Sequence, residues 1–257
     1  MERGGGWTRY LYSAVETFFE ERFRRFADGT TVISTSLRDR AIGLGVQPEE
    51  IILLPQGCDA PAPGAPPRDA ARSAVDVGVD EPLFITVGVL NVSDAKLMFD
   101  VIRRVMRDMP AAKFVLIGRT RSETPADLIG PRVTQTGFVT SEVLARYMAA
   151  ADAFVVPLSE NLSSRARWPS RINAALAQGV PVVVTRVGDL PRLLEHEGAA
   201  FVASPDAEDV ARKLAELVSD DAAVTRVRDA AWKLANGSLA WPAIIDQLEN
   251  FYFEVLA

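Results

Sequence analysis

Short apolar runs alternate with helical patterns along almost the whole chain of 257 residues. The runs are continuously apolar rather than alternating, which is typical of strands buried on both faces of a sheet. Repetition of strand, helix and strand at this spacing predicts parallel pairing through right-handed crossovers, and therefore an α/β fold with a Rossmann-like, doubly wound parallel sheet. The predicted strands are 31–35, 51–55, 83–88, 113–118, 133–137, 153–158, 181–185 and 199–203, and the predicted helices include 94–108, 141–150, 170–178 and 206–219.

The alternation is interrupted between residues 58 and 81, where proline, alanine and aspartate predominate without a clear period. This composition is typical of a linker. The C-terminal segment is an amphipathic helix, and its apolar face is expected to pack on the N-terminal part. The predicted divisions are residues 1–57 as a partial N-terminal α/β domain, 58–81 as a linker, 82–236 as a Rossmann-like domain and 237–257 as the C-terminal helix.

The N-terminal segment contains apolar residues at helical spacing with arginines among them. We interpret it as a helix that packs on another domain, because Glu16, Glu20 and Glu21 dilute its basic face. Contact with a membrane surface is the alternative, since interfacial helices combine aromatic and basic residues in this way. The apolar residues are Trp7, Leu11, Ala14, Val15, Phe18, Phe19, Phe23 and Phe26, and the arginines are Arg22, Arg24 and Arg25.

The composition excludes several classes of protein. A net charge of −6 argues against a nucleic-acid-binding surface, which is normally basic. The single cysteine, Cys58, allows no internal disulfide and fits a reducing compartment, and the single histidine, His196, is distant from it in sequence. No metal site is predicted from so few soft ligands. No apolar run is long enough to span a membrane and the N-terminus lacks a signal-peptide core, so the expected location is cytoplasmic.

Three arginines in residues 159–185 form a local basic cluster in an acidic protein. The pattern predicts a loop, a short helix and a buried strand, with Pro169 and Ser170 as the helix entry and Ser170 as its cap. Guanidinium groups at a helix N-terminus are typical of a phosphate or diphosphate site, and a solvated surface loop is the alternative. The three arginines are Arg165, Arg167 and Arg171.

Ligands of open parallel sheets bind beyond the carboxyl ends of the strands, which selects the loops after the predicted strands. Three of those strands end in glycine, which allows a sharp turn or close approach of a ligand. An ordinary turn, cap or surface role is the alternative for each candidate. Neither GxGxxG nor GxxxxGK[ST] occurs, which disfavours an ordinary NAD-binding domain and a P-loop NTPase. The candidates are Gly88, Gly118 and Gly137, then Asn91 as a helix cap, Lys96 for a phosphate, Phe138 for a planar base and Asn173 for a sugar hydroxyl.

Several motifs in order carry a resemblance to a known family: ADGTTVISTSLRDRAIGLGVQPEEIILLPQGCD, VGVL, PAAKFVLIG, VTQTGFVTSEVLARYMAAADAFVVPL and INAALAQGVPVVVTRVGDLPRLL. The chain resembles the latter, donor-binding part of a GT-B glycosyltransferase of family four, the group 1 glycosyltransferases. The resemblance implies that a nucleotide diphosphate lies at the helix after the arginine-rich loop and that its base lies near Gly137, Phe138 and Val139. It also implies that the RWPSR motif contributes to this site. The motif consists of Arg167, Trp168, Pro169, Ser170 and Arg171.

The resemblance further implies a nucleotide diphospho-sugar as donor substrate, no cofactor, and transfer of the sugar to an unknown acceptor with retention. Arg165 and Asn173 depart from the family pattern, because they occupy the positions of two glutamates, and Val89 stands where an arginine is usual. Most of the N-terminal domain, with the acceptor site, is expected to be missing, and a partner could supply it. A non-catalytic, truncated homologue that acts as a binding or partner module is therefore the alternative, and a sugar-nucleotide epimerase is a third interpretation.

Overall fold

The computed structural model describes residues 14–15, 17–19, 23–60 and 66–256. Trp7, Leu11 and Arg22 of the predicted N-terminal helix lie outside these residues, as do its three glutamates. Within the described part, residues 14–15, 17–19 and 23 are helical, as the sequence pattern predicts.

Eight strands are present in the described residues, and every one overlaps a predicted strand. They form a two-stranded and a six-stranded sheet, with the orders β1-β2 and β5-β4-β3-β6-β7-β8. All pairings between these strands are parallel, so the predicted α/β class and parallel sheet are confirmed. The strands are β1 (Thr30–Val32), β2 (Ile51–Leu53), β3 (Leu83–Leu90), β4 (Lys113–Thr120), β5 (Val133–Gly137), β6 (Ala153–Val156), β7 (Val182–Thr185) and β8 (Phe201–Ala203).

Helices connect the strands and cover both faces of the larger sheet. The helices of the described residues are α1 (Thr35–Gly43), α2 (Arg68–Ala74), α3 (Val92–Asp108), α4 (Ser141–Ala150), α5 (Leu162–Ala166), α6 (Arg171–Ala177), α7 (Asp189–His196), α8 (Ala207–Ser219), α9 (Asp221–Asn236) and α10 (Trp241–Leu256).

The strands of the larger sheet are buried on both faces. In β3, Leu83 and Ile85 belong to one apolar cluster, which includes Ile172 of α6. Phe84, between them in the chain, belongs to the opposite cluster, which includes Ile102 of α3. Successive side chains of a strand point to opposite faces, so a strand covered on both sides needs an apolar residue at each position. This burial explains the continuously apolar runs in the sequence.

The strand order places a topological switch point between β3 and β6. The chain runs from β3 outward through β4 to β5, then returns to form β6 on the other side of β3. The connections that follow β3 and β6 therefore diverge and leave a crevice at their carboxyl ends. In open α/β sheets this crevice is the usual place for a ligand.

The N-terminal segment, residues 23–60 here, packs against the C-terminal helix and contacts the loops at one edge of the larger sheet. The Trp241 ring lies so close to Gly57 that a Cβ at residue 57 would come within 2.4 Å of it. The Phe251 ring lies equally tightly on Gly29, at 2.8 Å from the corresponding position. The backbone of Cys58 also pairs with that of Leu239. The exact boundaries of the predicted divisions stay predictions.

The stretch predicted as a linker contains helix α2, which its composition did not indicate. Helix α2 packs on α4, and its Arg72 is buried. The Arg72 guanidinium donates to the carbonyls of Ala150, Gly78 and Glu81 and pairs with Asp152. Ala150 and Asp152, which are distant in sequence, hold the segment on the domain. The local composition did not reveal these long-range contacts.

Candidate functional site

A cavity of about 230 Å³ opens at the switch point between β3 and β6. Its walls come from the end of β3, the end of β6, the start of α3 and the arginine-rich segment before α6. The cavity therefore lies where the topology predicts a ligand site. Its lining residues are Thr86, Val87, Gly88, Val89, Leu90, Asp94, Phe154, Val156, Pro157, Leu158, Arg167, Trp168, Pro169, Ser170 and Arg171.

The loops of this cavity are joined by a buried carboxylate that the sequence analysis did not single out. Asp94, in the first turn of α3, is only 1% exposed. Its Oδ1 accepts a hydrogen bond from the backbone N–H of Ser159 at 2.8 Å, and its Oδ2 pairs with the guanidinium of Arg167. Asn91 caps the same helix by accepting from the Asp94 backbone N–H at 2.8 Å, as predicted. One sequence feature could have identified Asp94: it is a carboxylate in the first turn of a helix that follows a strand with a terminal glycine.

Two of the predicted glycines bring β3 and β4 very close together. Gly88 and Gly118 are paired in register and have φ values of +123° and +115°. A Cβ at Gly118 would lie 2.1 Å from the carbonyl oxygen of Gly88. Gly88 lines the cavity and has open space at its own Cβ position. Gly88 thus exposes backbone to the cavity, whereas Gly118 is required by the packing of the neighbouring strand.

The arginine-rich loop places only part of the predicted set in the cavity. Trp168, Pro169, Ser170 and Arg171 all line it. Arg165 is outside the lining and pairs with Glu160 at the surface, and its proposed contact with a phosphate stays a prediction. The Asn161 side chain caps α5, the short helix that contains Arg165.

Helix α6 begins at Arg171, one residue after the predicted start. The Ser170 side chain makes no capping hydrogen bond and its backbone is already helical, so the predicted serine cap is wrong. Among the described residues, the exposed Arg171 side chain forms no ion pair or hydrogen bond. Its charge is therefore uncompensated at the mouth of the cavity.

Asn173 has a structural position that excludes the predicted contact with a sugar hydroxyl. It is 3% exposed, and its Oδ1 accepts from the Trp168 indole N–H at 2.9 Å. Its Nδ2 donates to the carbonyls of Gln56 and Gly57 at 2.6 and 2.9 Å. Both ends of the amide are therefore hydrogen-bonded within the protein. These bonds join the N-terminal segment to Trp168 of the RWPSR motif.

The remaining candidates lie on the rim rather than in the cavity. Gly137 ends β5 with φ +68°, and the exposed Phe138 follows it with the half-buried Val139. The Arg119 guanidinium lies over the Phe138 ring at 5.1 Å from its centroid. Lys96 is exposed on α3 and has no ion partner within the described residues. Their binding roles stay predictions.

The N-terminal segment contacts the loops around the cavity directly. The Ser34 hydroxyl donates to the carbonyl of Ala166, the residue before Arg167, at 2.9 Å. The backbone N–H and hydroxyl of Thr35 both donate to the Asp189 carboxylate, the hydroxyl at 2.8 Å. Asp189 thus binds the N-terminus of α1, a position that favours a negative charge.

The thiol of Cys58 is expected to react slowly. Cys58 is buried, and burial together with the nearby Asp59 raises the pKa of its thiol to about 11. At pH 8 we expect the folded protein to react with a maleimide about a hundredfold more slowly than the urea-unfolded protein, because little thiolate is present. Mass spectrometry of quenched samples gives both rates. Equal rates would show that the thiol is accessible and ordinary.

Metal-binding clusters and membrane-spanning helices are both absent from the described residues. No three His, Cys, Asp or Glu side chains are grouped so that they could hold a metal ion in that part of the chain. None of its helices is both long and apolar enough to cross a membrane.

A doubly wound parallel sheet with a cavity at its switch point, lined in part by Gly88, defines an open α/β protein. A family model described as "Glycosyl transferases group 1" matches residues 81–220, more than half of the chain. The chain belongs to this family, and the predicted resemblance is confirmed.

Solved structures confirm the fold. Anabaena HepE in complex with UDP-glucose has a TM-score of 0.74 at 18% identity, with coverage of 97% of this chain and 68% of that one. Sucrose-phosphate synthase from Thermosynechococcus elongatus has a TM-score of 0.70 at 22% identity, with coverage of 95% and 62%. These similarities identify the GT-B glycosyltransferase fold.

Two curated relatives also match much of this chain. The MMP alpha-(1->4)-mannosyltransferase of Mycolicibacterium hassiacum is 26% identical over 248 residues, which are 91% of this chain and 56% of that protein. The N-acetyl-alpha-D-glucosaminyl L-malate synthase of Bacillus anthracis is 24% identical over 198 residues, 74% of this chain and 50% of that protein. The chain thus spans about half the length of these relatives.

Proposed function

We propose that the chain is the donor-binding part of a retaining glycosyltransferase and binds a nucleotide diphospho-sugar in the cavity between β3 and β6. The observation that carries the proposal is the meeting of Gly88 with the RWPSR segment at the switch point. A backbone without a side chain at Gly88 lets a ligand approach closely, and the uncompensated Arg171 offers a charge for a diphosphate. HepE, a structural neighbour, is described in complex with UDP-glucose.

We assign separate roles to the charged residues around the cavity. Arg165 and Arg167 are each paired with a carboxylate, whereas Arg171 and Lys96 have no ion partner in the described parts of the chain. We therefore place the leaving diphosphate near Arg171, with Lys96 as the second cation. Cations that neutralise a leaving diphosphate stabilise the charge that develops in the transition state. The exposed Phe138 remains our candidate for stacking on the base.

The acceptor site is a separate part of the proposal. We propose that a further domain or partner chain supplies it, and that the aromatic face of Phe18, Phe19, Phe23 and Phe26, each more than half exposed, packs on that domain. Contact of this face with a membrane surface is the alternative. Phe19 and Phe23 are stacked with ring centroids 5.7 Å apart, which gives the face an ordered apolar surface.

A second candidate is a binding module without transferase activity. The pairing of Arg165 with Glu160 and the burial of Asn173 favour it, because both positions carry a glutamate in the family pattern. This candidate predicts that a nucleotide sugar binds but is neither transferred nor hydrolysed.

Replacement of Arg171 by glutamine is expected to weaken the binding of UDP, GDP or ADP, whichever the protein binds best, by about tenfold, because a charge-assisted contact is lost. Isothermal titration calorimetry measures the change. Arg226→Gln is the matched control, since Arg226 is an exposed arginine outside the cavity lining. Failure of the unaltered protein to bind any of the three nucleotides at millimolar concentration would refute the proposed function.

A further inference from the structure

The two walls of the cavity are joined by the side chain of Asp94. One wall comes from β3 and the start of α3, and the other from β6 and the segment before α6. Asp94 lies on the first wall and is only 1% exposed. One of its oxygens accepts from the backbone N–H of Ser159 at 2.8 Å, and the other pairs with the guanidinium of Arg167, both on the second wall. The carboxylate is therefore used within the protein, where it sets the separation of the walls.

The segment between α5 and α6 depends on its side chains for its position. Residues 167–169 belong to no helix or strand. The Trp168 indole bonds within its own wall, whereas Arg167 makes its ion pair across the cavity. Arg171, the first residue of α6, follows four residues later and forms no ion pair within the described parts of the chain. The place of its charge relative to β3 therefore depends on the ion pair of Arg167.

Burial makes this ion pair difficult to replace. The side chain of Asp94 is 1% exposed and that of Arg167 is 34% exposed. A buried charge needs a partner, because little water is present to solvate it. Removal of either charge leaves the other uncompensated between the walls, and water must enter to solvate it. We expect the two walls to separate as a result.

We infer that Asp94 is a positioning residue, which acts through Arg167 to place the charge of Arg171 opposite β3 for the diphosphate of the donor. The inference rests on the proposed function and adds to it a group that does not touch the ligand. A cation that is already in place binds an anion more tightly than one that must first be ordered, because the entropic cost of ordering does not reduce the affinity.

Two substitutions distinguish an effect of position from an effect of charge. Asp94→Asn removes a negative charge beside the cavity, and Arg167→Met removes a positive one. If charge alone mattered, Asp94→Asn would strengthen the binding of an anionic nucleotide and Arg167→Met would weaken it. Positioning predicts that each variant weakens the binding of UDP, GDP or ADP, whichever the protein binds best, by about tenfold. Isothermal titration calorimetry measures the dissociation constants.

Combination with Arg171→Gln provides a second measurement. Because Asp94 acts through the place of Arg171, Asp94→Asn is expected to weaken binding less than about twofold in a chain that already carries Arg171→Gln. Arg167→Met is measured in the same background, and it decides the test if thermal unfolding shows that Asp94→Asn does not fold. A role in stability alone would lower the unfolding temperature and leave the dissociation constant of the folded protein unchanged.

Asp209→Asn is the matched control. Asp209 lies in the first turn of α8, accepts from the backbone N–H of Ser204 at 2.7 Å and pairs with Arg212, but it is outside the cavity lining. Its replacement is expected to leave the dissociation constant unchanged. Equal losses with and without Arg171→Gln, tighter binding by Asp94→Asn, or unchanged binding would each overturn the inference and leave the proposed function standing. Absence of nucleotide binding by the unaltered chain would remove both.

Discussion

Replacement of Asn173 by leucine is expected to lower the free energy of unfolding by about 4 kcal/mol, because it removes the partner of two buried polar groups and one half-buried group. These are the indole N–H of Trp168 and the carbonyls of Gln56 and Gly57, all now bonded to the Asn173 amide. The leucine also replaces the contact between the N-terminal segment and α6 by an apolar group. Chemical denaturation followed by circular dichroism measures the change.

Asn236→Leu is a suitable comparison for this result. Asn236 is exposed and bonds only to a carbonyl of its own helix, so its loss is expected to cost less than about 0.5 kcal/mol. Similar values for the two variants would contradict the view that the Asn173 amide joins the two parts of the chain.

Alanine at Gly118 is expected to destabilise the protein by about 4 kcal/mol or to prevent folding, because its Cβ would overlap backbone. The overlap is with the carbonyl oxygen of Gly88, 2.1 Å away, and φ at Gly118 is +115°. Neither strand can yield without breaking the register between β3 and β4. Urea denaturation, or recovery of soluble protein where the variant does not fold, measures the effect.

Substitution of a second glycine separates the two causes of the lost stability, which are steric overlap and an unfavourable backbone conformation. Gly198 has φ +64° but open space at its Cβ position. Gly198→Ala should therefore show only the conformational penalty, about 1 kcal/mol. A cost at Gly118 as small as at Gly198 would mean that the close approach of the two strands is not retained in solution.

The strands could be predicted from sequence because burial on both faces requires uninterrupted apolar residues. Helix α9 was missed for the opposite reason, since its buried positions include the small Ala223, Ala231 and Ala235, which give a weak apolar period. Helix α2 was missed because its burial depends on distant partners of Arg72. Local pattern therefore predicted the elements of the core and failed where packing rests on small or charged residues.

The candidate site was predicted in position more accurately than in detail. The rule for open sheets led to the edge of the sheet where Gly88 and the RWPSR segment line one cavity. The pairing of Asp94 with Arg167 joins residues 73 apart in sequence, and no local pattern reveals such a contact. The role of Asn173 was hidden likewise, because its partners are more than a hundred residues away.

The bonds from Ser34 and Thr35 couple the N-terminal segment mechanically to the loops of the cavity. We expect a rotation of α1 to displace Ala166 and Asp189 together, since both are bonded to residues at the start of this helix. Ala166 immediately precedes Arg167, which pairs with the buried carboxylate of Asp94. A change in the angle of the N-terminal segment is therefore expected to alter the width of the cavity.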